Sequence, residues 1–274
     1  MEYLDDGTES VIDDYAALLA AGELVQAGVP RSDAVGEAAR RRARSLCDRY
    51  VRPDDGGPGW FRADAEGWPF FHAVEAGLPV LALLRFGTVL PDAPEAASAR
   101  EVAVEAIFDT LARTSAVPNP FGYPRQRVRP SGGTDRDAFF FPHANETGYW
   151  WQGENATIAS LAAAACFCAE KMADVSATDR ERLLDCADDQ LAWITGRNPF
   201  QVCMLQGRGC GNVDYASDFP NLPGGVVNGV TSGSTDEDDV AFLPGDAPDG
   251  ESWRWAEQWI PHTGWSLLAV AAAR

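Results

Sequence analysis

The chain ends on the stretch Glu251-Ser-Trp-Arg-Trp-Ala-Glu-Gln-Trp-Ile-Pro-His-Thr-Gly-Trp-Ser-Leu-Leu-Ala-Val-Ala271, which is rich in tryptophan and continues into an apolar run. The spacing of its apolar residues predicts one closing helix over residues 253–273. Similar helical patterns recur through the sequence and indicate an all-α protein. Six further helices are predicted, over residues 8–27, 31–51, 71–86, 94–114, 150–172 and 178–195.

Amphipathic and wholly apolar helices alternate along the sequence. Residues 71–86 and 150–172 are apolar on all sides and should be buried, whereas residues 178–195 carry charges on one face. This alternation indicates two layers, with the apolar helices inside. No strand run competes, apart from short pieces such as residues 226–227 and 240–243. The long connecting loops end at helix starts, and we interpret them as site-forming.

The closing stretch also carries the first candidate site. Tryptophan side chains such as Trp255 and Trp259 are flat and amphipathic, which suits the faces of sugar rings. Glu257 lies between them, where burial would keep its carboxyl protonated, as the general acid of glycosidic bond cleavage must be. His262 is a hydrogen-bonding candidate. The alternative is a tryptophan-rich helix that fills a core, with Glu257 paired to Arg254.

A second dense cluster is Asn145-Glu-Thr-Gly-Tyr-Trp-Trp-Gln-Gly-Glu-Asn-Ala156, which leads into an apolar helix. Glu146 and Glu154 are favoured near a helix start by the helix dipole. Trp150 and Trp151 add stacking surface. The alternative is ordinary capping combined with core tryptophans. His143, just before this cluster, follows a proline in an aromatic loop and is a further candidate for bonding sugar hydroxyls.

The third motif is Thr195-Gly-Arg-Asn-Pro-Phe200, which follows a predicted helix end. Gly196 fits a C-cap and Pro199 a helix stop. Arg197 and Asn198 either line a site or only cap backbone carbonyls, and the motif alone leaves both interpretations open.

The composition excludes several classes of partner. Asp and Glu number 41 against 22 Lys and Arg, which gives a net charge of −19 and argues against nucleic acid and anionic membranes as partners. No apolar run is long enough to span a bilayer, and Met1 opens without an export signal, so we expect a cytoplasmic protein with free thiols. The three histidines lack metal-ligand spacing, and no metal or other cofactor is expected.

The motifs together resemble glycoside hydrolase family 9. The resemblance is carried by Gly196-Arg-Asn-Pro-Phe200, by the Glu146 to Ala156 cluster, and by Glu257-Gln-Trp-Ile-Pro-His262. The last two look closest to the branch of exo-acting glucosaminidases and glucosidases. The loop of residues 207–229 departs from the endoglucanase branch, because it has no histidine.

The resemblance implies a fold and a role for each candidate residue. It implies an incomplete (α/α)6 toroid with about seven of twelve helices, in which residues 1–274 form the C-terminal portion of one six-hairpin domain. It implies Glu257 as general acid in an inverting hydrolysis of β-1,4-linked gluco- or glucosamino-oligosaccharides. The implied substrate-binding residues are Glu146, Trp150, Trp151, Glu154, Arg197, Asn198, Trp255, Trp259, His143 and His262.

The family's catalytic base, an aspartate of a close pair, has no counterpart here. The resemblance therefore implies that a missing N-terminal part carries the base, and that this chain pairs with such a half-domain or self-associates through exposed inner helices. Two other hypotheses stay open. One is a non-catalytic carbohydrate-binding or assembly remnant of such a domain, and the other is a helical-toroid lyase.

Overall fold

The computed structural model describes residues 8–29, 32–72, 74–145, 152–171, 175–215, 220–245, 247 and 250–273. Within these residues the chain is mainly helical, with strands confined to short hairpins, which confirms the predicted all-α class. The helices are α1 Val11–Gln26, α2 Ser32–Asp48, α3 Leu78–Val89, α4 Ala96–Ser115, α5 Asn155–Lys171, α6 Ala177–Thr195, α7 Trp253–Ala256 and α8 Ile260–Ala272.

The chain divides into two compact units, one of Met1–Phe70 with Leu78–Ala112 and one of Phe71–Gly77 with Arg113–Arg274. In the first unit α1 packs on α2 and α3. Helix α1 begins at a capping box, in which the Ser10 hydroxyl and the Asp13 carboxylate each accept a hydrogen bond from the other residue's backbone N–H.

A buried carboxylate joins α1 to α2 in the first unit. Asp14 is fully buried, and its two oxygens accept bonds from Arg42 Nη1 at 3.0 Å, Arg49 Nε at 2.6 Å and Ser45 Oγ at 2.8 Å. Buried charges persist when they are paired and hydrogen-bonded in this way. The arginine-rich face of α2 is therefore turned partly inward, to neutralise one acid of α1.

In the second unit α5 packs against both α6 and α8. Helix α5 is buried along almost all of residues 155–169, as the absence of charge in that stretch predicts. Helix α6 ends at Gly196, whose φ of 124° confirms the predicted glycine C-cap.

In the part of the chain that the structure describes, six short strands form three antiparallel hairpins. They are β1 Tyr50–Val51 with β2 Trp60–Phe61, β3 Gln126–Val128 with β4 Arg136–Ala138, and β5 Thr231–Gly233 with β6 Asp236–Ala241. Residues 226 and 227, predicted as a strand piece, form isolated bridges to Leu205 and Gln258. These hairpins lie in the long connecting loops, so the loops have more regular structure than the sequence indicated.

Two helix boundaries differ from the prediction in a way that matters for the site. The helix predicted over residues 71–86 begins only at Leu78, with Pro79 in its first turn. Before it, Phe71 packs with Val128, Ala138 and Phe141 on the β3–β4 hairpin. The predicted closing helix over residues 253–273 is interrupted, and it forms α7 and α8 instead.

Replacing Asp14 with Asn should lower the free energy of unfolding by about 3–5 kcal/mol, because it leaves Arg42 and Arg49 buried beside a neutral partner. Urea denaturation followed by circular dichroism measures the change. The matched control is Asp54→Asn, an exposed aspartate of the same unit, which should change stability by less than about 0.5 kcal/mol. Equal effects of the two substitutions would contradict the structural role of the Asp14 cluster.

Candidate functional site

The break between α7 and α8 positions Glu257. Glu257 ends α7 with extended backbone angles, φ −72° and ψ 151°, and Trp259 begins α8 with φ −110° and ψ 149°. Gln258, between them, forms a β-bridge to Val227. The apolar spacing predicted a continuous helix here, and that prediction was wrong because Pro261 has no N–H to donate to the Glu257 carbonyl and a distant loop pairs with Gln258.

The side chains of Glu257 and Trp259 are hydrogen-bonded to each other. The indole Nε1–H of Trp259 donates to Glu257 Oε2, and Trp259 as a whole residue is 42% exposed. Glu257 is half-buried, whereas its position among tryptophans in the sequence predicted a buried carboxyl. Arg254 Nε donates to Glu251 Oε2 at 2.8 Å, and its guanidinium lies 5.1 Å from the Trp253 ring centroid. A carboxylate beside an exposed indole is an arrangement that can meet a sugar ring and its glycosidic oxygen together.

Trp255 and His262, which flank this pair in the sequence, lie in the interior. Both side chains are fully buried. Trp255 Nε1 donates to Thr231 Oγ1 at 2.9 Å, and His262 Nε2 lies 3.1 Å from the carbonyl oxygen of Gly153. Burial lowers the pKa of His262 to about 4, so the ring is neutral at pH 7 and Nε2 carries the hydrogen that the carbonyl accepts. In this structure Trp255 therefore binds β5, and His262 binds the segment just before α5.

Glu154 is the fully buried acid of this region. Its Oε1 accepts the Phe141 N–H at 2.5 Å, and its Oε2 lies 3.1 Å from the Tyr123 hydroxyl. Burial raises the pKa of Glu154 to about 8, and these two hydrogen bonds offset only part of that rise. Glu154 is therefore mainly protonated at pH 7, and its bonds join α5 to the loop that precedes it.

The Asn-Pro-Phe motif organises a turn. Asn198 is buried, and its Nδ2 donates to the carbonyl oxygens of Trp193 and Val202, both at 2.8 Å. Arg197 is half-exposed and pairs with Asp189 of α6. The alternative of capping, which the sequence left open, describes the observed contacts of Asn198.

Four predicted site residues remain, and the structure describes one of them, His143. His143 is half-buried, and its carbonyl oxygen lies 3.4 Å from Asn145 Nδ2. Glu146, Trp150 and Trp151 lie outside the described residues.

Two glycines bring the start of α5 against the loop that precedes β5. The Gly153 N–H donates to the Arg254 carbonyl at 2.7 Å, and the Gly229 N–H donates to the Trp255 carbonyl at 2.9 Å. A Cβ on Gly153 would lie 2.3 Å from the carbonyl group of Gly229, and a Cβ on Gly229 would lie 2.6 Å from the Asn155 side chain. The two backbones therefore touch directly, and this contact brings Glu154 close to the α7 segment.

Three residues of this region were missed by the sequence analysis. Asn228 donates from its backbone N–H to the Glu257 carbonyl at 2.8 Å and from Nδ2 to the Trp253 carbonyl at 2.7 Å. Tyr123 and Gln258 contribute the other contacts. The only signal in the sequence was the apolar pair at residues 226–227, which precedes Asn228 but does not reveal its partner.

The described residues contain neither a metal-binding group nor a membrane-spanning helix. No three His, Cys, Asp or Glu side chains among them come together as a metal-binding group. Within the same ranges, none of the helices combines the length and apolar character needed to cross a bilayer.

The chain is similar to two crystal structures of the cellulase Cel9M of C. cellulolyticum. One is 15% identical with a TM-score of 0.44, and the other, in complex with cellobiose, is 13% identical with a TM-score of 0.46. In both cases the match covers 97% of this chain and 64% of the cellulase chain, so this chain spans less than two thirds of their length. No protein-family model and no curated protein matches the chain.

The buried Glu154 should make stability depend on pH. Because its pKa is about 8 in the folded chain and 4.5 when unfolded, the unfolded state releases this proton first as the pH rises. This group's contribution is complete below pH 4.5 and is lost between pH 4.5 and 8, by about 1.4 kcal/mol per pH unit. Glu154→Gln keeps the hydrogen-bonding shape of the protonated acid and should remove that loss.

Melting temperatures measured from pH 5 to pH 9 test this prediction. The Glu154→Gln variant should match the wild type at the acid end and exceed it at the alkaline end. The control is Glu181→Gln, an exposed glutamate of α6, which should follow the wild-type curve. Parallel curves for wild type and Glu154→Gln would show that Glu154 is ionised in the folded chain.

Proposed function

We propose that the chain is the C-terminal portion of a single (α/α)6 glycoside hydrolase domain, with Glu257 as its general acid. The observation that carries the proposal is the Glu257 carboxyl held by the Nε1–H of a half-exposed tryptophan, Trp259, at a break between two helices. This pairing supplies both parts that a sugar-cleaving acid needs, a proton donor and a stacking surface.

The proposed substrates are β-1,4-linked gluco- or glucosamino-oligosaccharides. Glu257 would donate its proton to the glycosidic oxygen while the bond from that oxygen to the anomeric carbon breaks. The Trp259 indole occupies Oε2, so the proton would be carried on Oε1. In an inverting enzyme a second carboxylate, roughly 6.5–9.5 Å from the first, activates the water that attacks the opposite face of the ring. We propose that this base belongs to an N-terminal part outside the chain.

The other candidate residues have distinct places in this proposal. Trp259, His143 and Arg197 have exposed or half-exposed side chains that would contact the sugar directly. Glu154, Asn198, Trp255 and His262 are buried, and they would support the site by holding its loops. Glu146, Trp150 and Trp151 remain proposed substrate-binding residues on the strength of the sequence motif.

An exposed apolar face on α8 supports the proposed partner. Ile260 is 89% exposed, Leu267 is 69% exposed and Val270 is 41% exposed, and they recur at helical spacing on one side. No charged residue occurs in α8, although the chain has a net charge of −19. Such a face favours a covering partner, either an N-terminal half-domain or a second copy.

A second candidate function is sugar binding without catalysis. It is favoured by the same exposed ring of Trp259 next to Ile260, because a stacking platform binds a sugar whether or not a proton is transferred.

Azide separates the two functions in the chain as it exists. If the acid is present and the base is missing, azide can replace the activated water and attack the anomeric carbon, which gives an α-glycosyl azide from a β-glycoside. We expect azide-dependent cleavage of cello- or chito-oligosaccharides by the wild type. The rate should fall about 10²–10⁴-fold in Glu257→Gln, because these leaving groups need an acid.

Two controls sharpen this experiment. Dinitrophenyl β-cellobioside has a leaving group that departs without a proton, so Glu257→Gln should cleave it as fast as the wild type. Glu251→Gln, a nearby acid paired with Arg254, should leave both rates unchanged. Sugar binding by calorimetry with no azide product from any substrate would favour the binding function and defeat hydrolysis.

Sedimentation velocity tests the α8 face. If copies of the chain associate through it, the sedimentation coefficient should rise with concentration, and Leu267→Glu should abolish that rise by placing a charge in the interface. Leu222→Glu is the control, because Leu222 is equally exposed at 69% but lies outside α8. A monomer at all concentrations would contradict self-association and leave the N-terminal half-domain as the proposed partner.

A further inference from the structure

Gln258 occupies the one position between the acid and the indole, and its side chain is bonded to a distant loop. Its Oε1 accepts the Leu222 N–H at 2.9 Å, and its Nε2 donates to the Leu222 carbonyl at 3.0 Å. A Cβ on Gly225 would lie 2.4 Å from Gln258 Nε2, so the amide lies flat against that glycine. One side chain thus pairs with both backbone groups of a single residue, as a β-strand neighbour would.

The same loop also bonds to residues on both sides of the break. Asn221 Nδ2 donates to the Ala256 carbonyl at 2.7 Å, and the Asn228 N–H donates to the Glu257 carbonyl at 2.8 Å. The Val226 N–H donates to Thr263 Oγ1 at 3.0 Å, within the first turn of α8. The first two bonds satisfy the carbonyl groups of Ala256 and Glu257, which have no helical donors because α7 stops at Ala256 and Pro261 has no N–H. The loop of residues 221–228 therefore stabilises the extended conformation of residues 257–259.

The extended conformation is what allows the acid to meet the indole. In an extended segment residues i and i+2 point to the same side, and the residue between them points to the other. In a helix, residues i and i+2 do not face each other. Glu257 and Trp259 accordingly bond on one side, while Gln258 bonds to the loop on the opposite side. The Glu257–Trp259 bond depends on the anchored position of Gln258.

We propose that Gln258 is a positioning residue, which holds Glu257 against Trp259 by clamping the break between α7 and α8 to Leu222. The assignment rests on the proposed function in calling Glu257 the acid, but the clamp itself can be tested without any activity. Leucine at this position keeps the approximate volume and removes both hydrogen bonds. Glutamate keeps the acceptor for the Leu222 N–H and loses the donor.

The Trp259 indole N–H resonance reports the clamp directly. The nine tryptophans give nine side-chain signals in a nitrogen-15 spectrum, and Trp259→Phe identifies the one that is lost. Glu257→Ala removes the acceptor and sets the position of the unbonded indole. We expect Gln258→Leu to move the Trp259 signal most of the way to that position and Gln258→Glu to move it part of the way. The other eight signals show whether the fold persists.

The matched control is Gln26→Leu, which removes one exposed hydrogen bond, to Arg85, in the first unit. It should leave the Trp259 signal in place. A Trp259 signal that stays put in both Gln258 variants, yet moves in Glu257→Ala, overturns the proposal. A signal that does not move in Glu257→Ala shows that the acid–indole bond is absent and overturns it as well. If Gln258→Leu fails to fold, Gln258→Glu decides.

Activity gives a separate measurement. With azide and an oligosaccharide substrate, Gln258→Leu should lower kcat by about 10²-fold, because a small displacement of a catalytic group has an effect of that size, and it should change KM little. Cleavage of the dinitrophenyl substrate should be unaffected. A wild-type chain with no activity defeats the proposed function alone, since the indole resonance still tests the clamp.

Discussion

The carbonyl groups released where α7 stops must find donors, and the candidate site depends on where those donors come from. Ala256 and Glu257 are bonded by Asn221 and Asn228, which lie some thirty residues earlier in the chain. A buried or half-buried backbone group without a partner costs free energy comparable to a lost hydrogen bond, so the loop stabilises the break that Pro261 imposes on the helix. The loop of residues 221–229 therefore holds both the extended segment that carries Glu257 and Trp259 and the first turn of α8.

Two buried titratable side chains near the α7–α8 break, Glu154 and His262, are neutral at pH 7. Glu154 holds its proton because burial disfavours the carboxylate, and His262 stays uncharged because burial disfavours the imidazolium. Their pH effects on stability have opposite signs. Loss of a proton from Glu154 weakens the fold toward alkaline pH, whereas the unfolded chain's gain of a proton on histidine weakens it below pH 6.5. Together these two groups stabilise the fold most between about pH 4.5 and pH 6.5.

The sequence predicts most of the helices but not the contacts that shape the site. Gly196 and the charge-free run of α5 are local signals, and the C-cap of α6 and the buried helix α5 follow from them. The break at Glu257 was missed although Pro261 signals it, because a proline has no N–H for the Glu257 carbonyl and is favoured only in the first turn of a helix, where it lies in α8. The loop that fixes the path of residues 257–259 is distant in sequence and gave no local signal. Burial was also misjudged: Glu257 lies half in solvent and Glu154 lies in the core, since a carboxyl's depth is set by the neighbouring segments.

The contact of Gly153 with Gly229 restricts which residues these two positions can hold. Where two segments meet through flexible side chains, a substitution on one can be absorbed by repacking the other. Here a methyl group on Gly153 would meet the main chain of Gly229, and one on Gly229 would meet the side chain of Asn155, whose Nδ2 is bonded to the Val227 carbonyl. Either change would have to displace the start of α5 from the loop that binds the Glu257 carbonyl. Two residues without side chains therefore set the distance between Glu154 and the segment that carries the proposed acid.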